Sequence, residues 1–169
     1  MIVLCRHVRQ EDEGGELAER VAAYEPRLVY TSPLERAVRT AAAVARRCGV
    51  ETVVDPRLRE IDLGDVEGLG FDELPPDLRR GLLDDPTRVR FPGGETYEEL
   101  RTRVMAPLDE LAAQPGTVAV VSHAGAIRAA LASWLAMDES ALWRIDQRFG
   151  SLNVVEFVEG VPLVRLVNG

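Results

Sequence analysis

Short apolar runs alternate with helix-period segments along this chain, and that alternation limits the fold more than any other feature. Ile2–Cys5 precedes a helical pattern near Glu16–Tyr24; then come Leu28–Tyr30, a helix from Pro33 to Cys48, and a third run, Thr52–Val54. Strands that pair in parallel need long crossovers, and helices supply them while covering the sheet faces. The pattern therefore predicts an α/β fold, a three-layer α/β/α sandwich with a mostly parallel central sheet. The Pro33 helix is the best punctuated, with Ser32 as N-cap, Pro33 at the first helical position and Gly49 just past the end. Thr96-Tyr97-Glu98-Glu99 fits a capping box that opens a helix running toward Ala113, which Pro107 is expected to kink or interrupt. A strand at Val118–Val121 and a helix through Ile127 to Leu135 follow, and Ser151–Val158 with Pro162–Val167, split by Glu159-Gly160, predict a closing antiparallel hairpin. The Pro-, Gly-, Asp- and Arg-rich stretch from Gly64 to Gly94 has the least regular pattern. It reads equally as a cover over the functional edge or as a surface connection. Trp134 and Trp143 are expected in the core.

The 169 residues, 46% of them hydrophobic, suit a single domain spanning 1–169 with a full core. No uncharged stretch approaches the roughly 18 residues of a membrane helix, and Met1 leads straight into a run that Arg6 ends, so neither a span nor a signal segment is expected. Cys5 and Cys48 have no metal-ligand spacing or disulfide framework around them, which suits reduced thiols in a cytoplasmic protein. A net charge of −8 excludes non-specific binding to nucleic acid or anionic membranes. An anionic substrate then requires a local basic pocket.

Only two histidines occur, and each directly follows, or stands one residue past, a strand-like run: Arg6-His7 after the first, Ser122-His123 after Val118–Val121. The carboxyl ends of strands in open α/β sheets form ligand crevices, so neighbouring strands would bring both imidazoles and Arg6 to one edge. Two unrelated histidines satisfied by backbone carbonyls is the other reading of the spacing alone. A phosphoryl group calls for several fixed donors, and the planar fork of arginine suits it best. Arg36 falls in the first turn of the Pro33 helix, beside the partial positive charge of the helix start. A neutral imidazole is a competent nucleophile near pH 7, so one histidine can attack phosphorus while the other, protonated, stabilises the oxygens. Glu60, after the third run, is the best-placed carboxylate to protonate the leaving group and then activate water.

Five ordered motifs carry a family resemblance. They are Arg6-His7, Ser32-Pro33-Leu34-Glu35-Arg36-Ala37 with Thr40-Ala41, Leu58-x-Glu60-x-x-x-Gly64-x-x-Glu67-Gly68, Gly93-Gly94-Glu95, and Ser122-His123-Ala124-Gly125-x-x-Arg128. Together they resemble the histidine phosphatase, or phosphoglycerate mutase-like, superfamily. The resemblance implies that family's sandwich fold, a phosphohistidine intermediate on His7, a phosphate pocket from Arg6, Arg36, His123 and Ala124, Glu60 as proton donor, and no metal or cofactor. The partner so implied is a small phosphorylated substrate. Glu60 places the chain nearer the α-ribazole and broad-specificity phosphatases than the smaller branch acting on protein phosphohistidine.

The chain departs from the family pattern in two places. Val8 stands where the family has glycine, which predicts a reshaped turn after His7. The long loop that usually follows is replaced by the short Asp12-Glu13-Gly14-Gly15 connection, which predicts a shallower, more open pocket, with Arg9 and Gln10 as surface residues. The leading expectation is a phosphomonoesterase. A non-catalytic phosphate-binding or scaffolding protein, a mutase, and a phosphohistidine-protein phosphatase remain open alternatives, as does the oligomeric state.

Overall fold

The computed structural model describes residues 1–9 and 11–169; Gln10, read from sequence as a surface residue, lies outside the described residues. Period-two alternation sorts the strand residues into two cores. In β1 (Ile2–Arg6), Ile2 and Leu4 join one apolar cluster while Val3 and Cys5 join the other. The strand after the long central helices repeats the pattern, with Val118 and Val120 on one side, Ala119 and Val121 on the other. Such strands, buried on both faces, belong in the middle of a sheet.

The sheet has six strands: β1, β2 (Val29–Thr31), β3 (Thr52–Val54), β4 (Val118–Ser122), β5 (Leu152–Val158) and β6 (Val161–Leu166), in the order β3-β2-β4-β1-β5-β6. The first four in that order run parallel, and β5 and β6 are antiparallel additions. The turn between β5 and β6 has positive φ at both Glu159 and Gly160, as a type I′ hairpin requires. α1 (Gly15–Ala22) and α2 (Glu35–Cys48) cover the Val3/Cys5 face. α3 (Pro76–Asp84) lies in the connection to β4, while α4 (Tyr97–Ala112) and α5 (Ala124–Trp134) cover the Ile2/Leu4 face. The three-layer α/β/α arrangement is the one the alternation predicts. No helix among the described residues is long and apolar enough to cross a membrane.

Three local expectations need correction. α2 starts at Glu35 rather than Pro33: Leu34 is extended, and its carbonyl receives the first helical bonds, from Ala37 and Val38. Ser32 is drawn elsewhere, its amide bonded to Val121 O and its hydroxyl to His123, so it ties the chain to the sheet edge. Pro107 does not interrupt α4, which is helical on both sides of it. The missing hydrogen bond is outweighed because Pro107 is buried in line with Leu100, Val104, Leu108 and Leu111, each burial stabilising by roughly 1.5–3 kcal/mol. Trp143 is 46% exposed, resting against Tyr97 with its ring 5.3 Å from the Arg128 guanidinium, whereas Trp134 packs on Phe157 beside the core. Of the two readings open for the 64–94 stretch, the surface connection is the one that fits: it forms short helical turns and α3, and Phe71, Leu82, Leu83 and Pro86 face Ser140, Trp143 and Arg144.

The segment bearing Glu60 belongs to no strand or helix, so its position comes from side chains. Arg103, on α4, donates to the carbonyls of Arg57, Arg59 and Glu60 at 2.8, 3.1 and 3.2 Å, and its fork grips Glu95 at 2.6 and 2.7 Å. Ser122 Oγ donates to Leu58 O at 2.7 Å. Gly64 and Gly94 allow two backbone stretches to touch here. A Cβ on Gly64 would fall 2.2 Å from Pro92 O, and one on Gly94 would fall 2.3 Å from Asp62 O.

Candidate active site

Parallel pairing sets Arg6 opposite Ser122, so the residues that follow, His7 and His123, emerge side by side at the carboxyl ends of β1 and β4. Their ring centroids are 5.0 Å apart, and His7 N–H bonds Ser122 O at 3.0 Å. Both rings are almost wholly buried, His123 at 1% exposure and His7 at 6%.

The contacts of His7 define its tautomer. Nδ1 lies 2.8 Å from Val8 O, which can only accept, and Nε2 lies 3.2 Å from Arg36 Nε, which can only donate. His7 is therefore the neutral Nδ1–H form, with its lone pair on Nε2. Burial pushes its pKa below the ordinary imidazole value; the Val8 carbonyl opposes this, and the Arg36 and Arg6 charges add to it. Val8 has no positive φ, so valine fits this turn without strain. Its N–H bonds Thr40 Oγ1 at 3.2 Å, and its methyl groups point toward Gly14 and Gly150. The turn is thus held by α2, because Thr40 in turn donates to Arg36 O at 2.9 Å.

His123 Nε2 lies 2.8 Å from Ser32 Oγ, while Nδ1 is buried without a hydrogen-bond partner. Its pKa is pushed down to about 3, by burial first and then by Arg36, His7 and Arg6. Sequence reasoning expects this imidazole protonated, but the protein surroundings alone hold it neutral. A phosphoryl dianion beside it acts in the opposite direction.

Arg6 lies under the face of Phe149, with its guanidinium carbon 3.7 Å from the ring centroid, and donates to Gln147 O. Phe149 also meets the edge of His7, at 5.4 Å between centroids. The 147–151 turn that presents it is pinned from inside by Gln147, Asn153 and Ser151, which hydrogen-bond one another at 2.9–3.0 Å. Glu60 sits on the start of α5: Oε2 accepts from Gly125 N at 3.1 Å, and Oε1 from Ala126 N at 3.3 Å and Ile61 N at 3.0 Å. First-turn N–H groups have no intrahelical acceptor and favour an anion. Gly125 makes room for it, since a Cβ there would fall 2.4 Å from Glu60 Oε1.

One cleft of about 430 Å³ is lined by Arg6, His7, Arg36 and Glu60 together with Arg9 and Phe149. Of the residues named from sequence, these four share it, His123 stands directly behind His7, and Ala124 opens α5 beside them. Arg128 does not join them; it donates to Ile145 O at 2.8 Å. No residue of 64–94 is found in that lining among the described residues. Phe149, Ser32 as the partner of His123, and Thr40 as the support of Val8 escape sequence reasoning, for their roles arise from contacts between distant segments. Ser32 and the Thr40-Ala41 pair, both in the second motif, carry the local signal there is. Among the described residues no group of three or more His, Cys, Asp or Glu side chains is arranged to hold a metal ion.

A sequence model of the histidine phosphatase superfamily (branch 1) matches residues 11–169, a range that begins just after His7. A bifunctional protein of Mycobacterium tuberculosis is 38% identical over 146 residues, covering 83% of this chain and 40% of that protein, so the chain spans about two-fifths of this relative's length. Phosphoserine phosphatase 1 of Hydrogenobacter thermophilus is 32% identical over 158 residues, covering 90% of this chain and 74% of that one. The structure of a mycobacterial glucosyl-3-phosphoglycerate phosphatase superposes with a TM-score of 0.86 at 23% identity, over 99% of this chain and 98% of that one, a likeness of fold.

Proposed function

Because the chain belongs to the histidine phosphatase superfamily, branch 1, we propose that it hydrolyses small phosphomonoesters by two transfers at one site. The observation that carries the reading is the tautomer of His7. The ring is locked by the Val8 carbonyl with its lone pair on Nε2, the atom that faces Arg36. A phosphoryl group arriving at this point accepts from Arg36 and Arg6, while His7 Nε2 attacks phosphorus. The P–N bond forms as the P–O bond to the leaving alkoxide breaks, and Glu60, which enters the cycle protonated and is left as the carboxylate, gives that alkoxide its proton. In the second transfer the Glu60 carboxylate takes a proton from water, the water oxygen attacks phosphorus, and the P–N bond breaks to release inorganic phosphate and free His7. His123 Nδ1 and Arg6 Nε, both buried without a partner, are suited to bonding the equatorial oxygens as charge builds on them. The Ala124 N–H, at the helix start, adds a further donor.

The test is release of p-nitrophenol from p-nitrophenyl phosphate by wild type, His7→Ala and Glu60→Gln. Wild-type turnover, no turnover in His7→Ala, and an alkali-stable, acid-labile phosphoprotein only when His7 is present are the expected results. Wild-type rates in His7→Ala would overturn the reading, and tight phosphate binding without turnover in wild type would instead mark a phosphate-binding protein.

A further inference from the structure

A second cleft, of about 410 Å³, adjoins the one that holds His7 and shares Val8, Arg9 and Arg36 with it. Its charged lining is four arginines, Arg9, Arg36, Arg39 and Arg46, and two carboxylates, Asp12 and Glu13. It exists because the short connection at 12–15 leaves one face of α2 uncovered. Arg36, Arg39 and Arg46 are spaced by three and seven residues and so share that face, at roughly 4.5 and 15 Å along the helix axis from Arg36. Arg47 pairs with Glu19 at 2.7 Å, and Arg57, Arg90, Arg103 and Arg165 have carboxylates at 2.6–2.8 Å. Neither Arg9, Arg36 nor Arg46 is in an ion pair among the described residues. In a chain of net charge −8, this groove is a local concentration of cations touching the reactive cleft.

We propose that the groove takes a second anionic group, a phosphate or carboxylate, on the far end of the phosphomonoester whose scissile phosphate lies against His7. This deepens the phosphatase reading and rests on it. Arg36 stands at the boundary and faces both groups, and Arg39 and Arg46 receive the distal one one to three turns along α2. The guanidinium fork matches the paired oxygens of either anion. Asp12 and Glu13 have only acceptor oxygens when ionised, which suits hydroxyl groups between the two anions, as on a sugar or polyol chain. The volume fits a small molecule of this size.

Three compounds that differ at one end test the proposal: glucose 6-phosphate, 6-phosphogluconate and glucose 1,6-bisphosphate. In wild type, kcat/KM for at least one doubly anionic compound exceeds that for glucose 6-phosphate by about tenfold. In Arg39→Ala/Arg46→Ala the ratio falls to within about twofold. The carboxylate and bisphosphate arms identify which anion the groove accepts. Equal kcat/KM for all three in wild type, or an undiminished ratio in the double variant, overturns the proposal. Calorimetric titration of His7→Ala with the same compounds separates the two readings. Tighter binding of a doubly anionic compound that depends on Arg39 and Arg46, without turnover in wild type, keeps the groove and removes the phosphatase. Turnover of glucose 6-phosphate with no preference keeps the phosphatase and removes the groove, and neither binding nor turnover removes both.

Discussion

The two histidines stand 5.0 Å apart, yet the walls around them are built in opposite ways. Behind His123 the contacts are interlocked, with Ser32 buried on its ring and the half-buried Glu60 and Arg103 on the start of α5 and beneath the Glu60 segment. In front of His7 the rim is exposed, made of Arg9, Arg36 and Phe149, and bordered by a connection of a few residues. The difference separates two requirements. The reacting groups must be fixed in place, which buried polar contacts achieve because each orphaned partner is costly. On the proposed reading, the groups that choose a substrate need access, which arginines exposed on one helix face have.

The sharpest break is His7→Ala, which is expected to lower turnover by at least about 10³-fold in a phosphate-release assay while leaving substrate affinity measurable. Gly125→Ala tests the interlocked wall without removing any reacting group. Its methyl group displaces the Glu60 carboxylate, so kcat falls about a hundredfold, while the melting temperature stays within about 2 °C because alanine favours a helix. Ser32→Ala strips His123 of its remaining partner. It is expected to cost about 1–3 kcal/mol in denaturant unfolding and about tenfold in kcat/KM.

Acid exposes the same wall through linkage. The folded pKa of His123 lies at about 3, against an ordinary value of 6.5, so between those limits the unfolded chain binds a proton that the folded chain does not. Stability therefore rises with pH across that window and is lost as pH falls from about 6.5 toward 3. His7, shifted the same way, adds to the loss. Unfolding curves of His123→Asn should show a shallower acid limb than wild type; an identical limb removes His123 from the account. The smallest effect belongs to the rim. Val8→Gly restores the residue of the family pattern but loses packing toward Gly14 and Gly150, so it should cost about 1 kcal/mol and change kcat/KM less than about threefold.

What the sequence discloses follows the same division. Strand runs, the alternation that orders them, and a histidine after each of two strands are local signals, and with the helix that carries Arg36 they point to the sheet edge where the structure brings His7, His123, Arg6 and Arg36 together. Glu60 is legible only through its motif spacing, since its seat on α5 joins residues 65 positions apart. Phe149 carries no local mark; it matters because the Gln147–Asn153 network turns it over Arg6. Pro107 misleads because propensity speaks for an isolated helix, and tertiary burial outweighs it here. The state of His123 escapes composition entirely, being set by the burial and the neighbouring cations that folding creates.

Arg103 gives the last lesson. Three carbonyls of the segment that carries Glu60 hang from one guanidinium, braced by Glu95, with no ladder of strand or helix bonds to share the strain. Segments held by a few side-chain contacts open well below the global unfolding transition. On the proposed mechanism, heat is then expected to free the Glu60 carboxylate while the sheet that carries both histidines is still intact, so that turnover would be lost at a temperature set by the hold of Arg103, Ser122 and the start of α5 on this segment rather than by the stability of the fold.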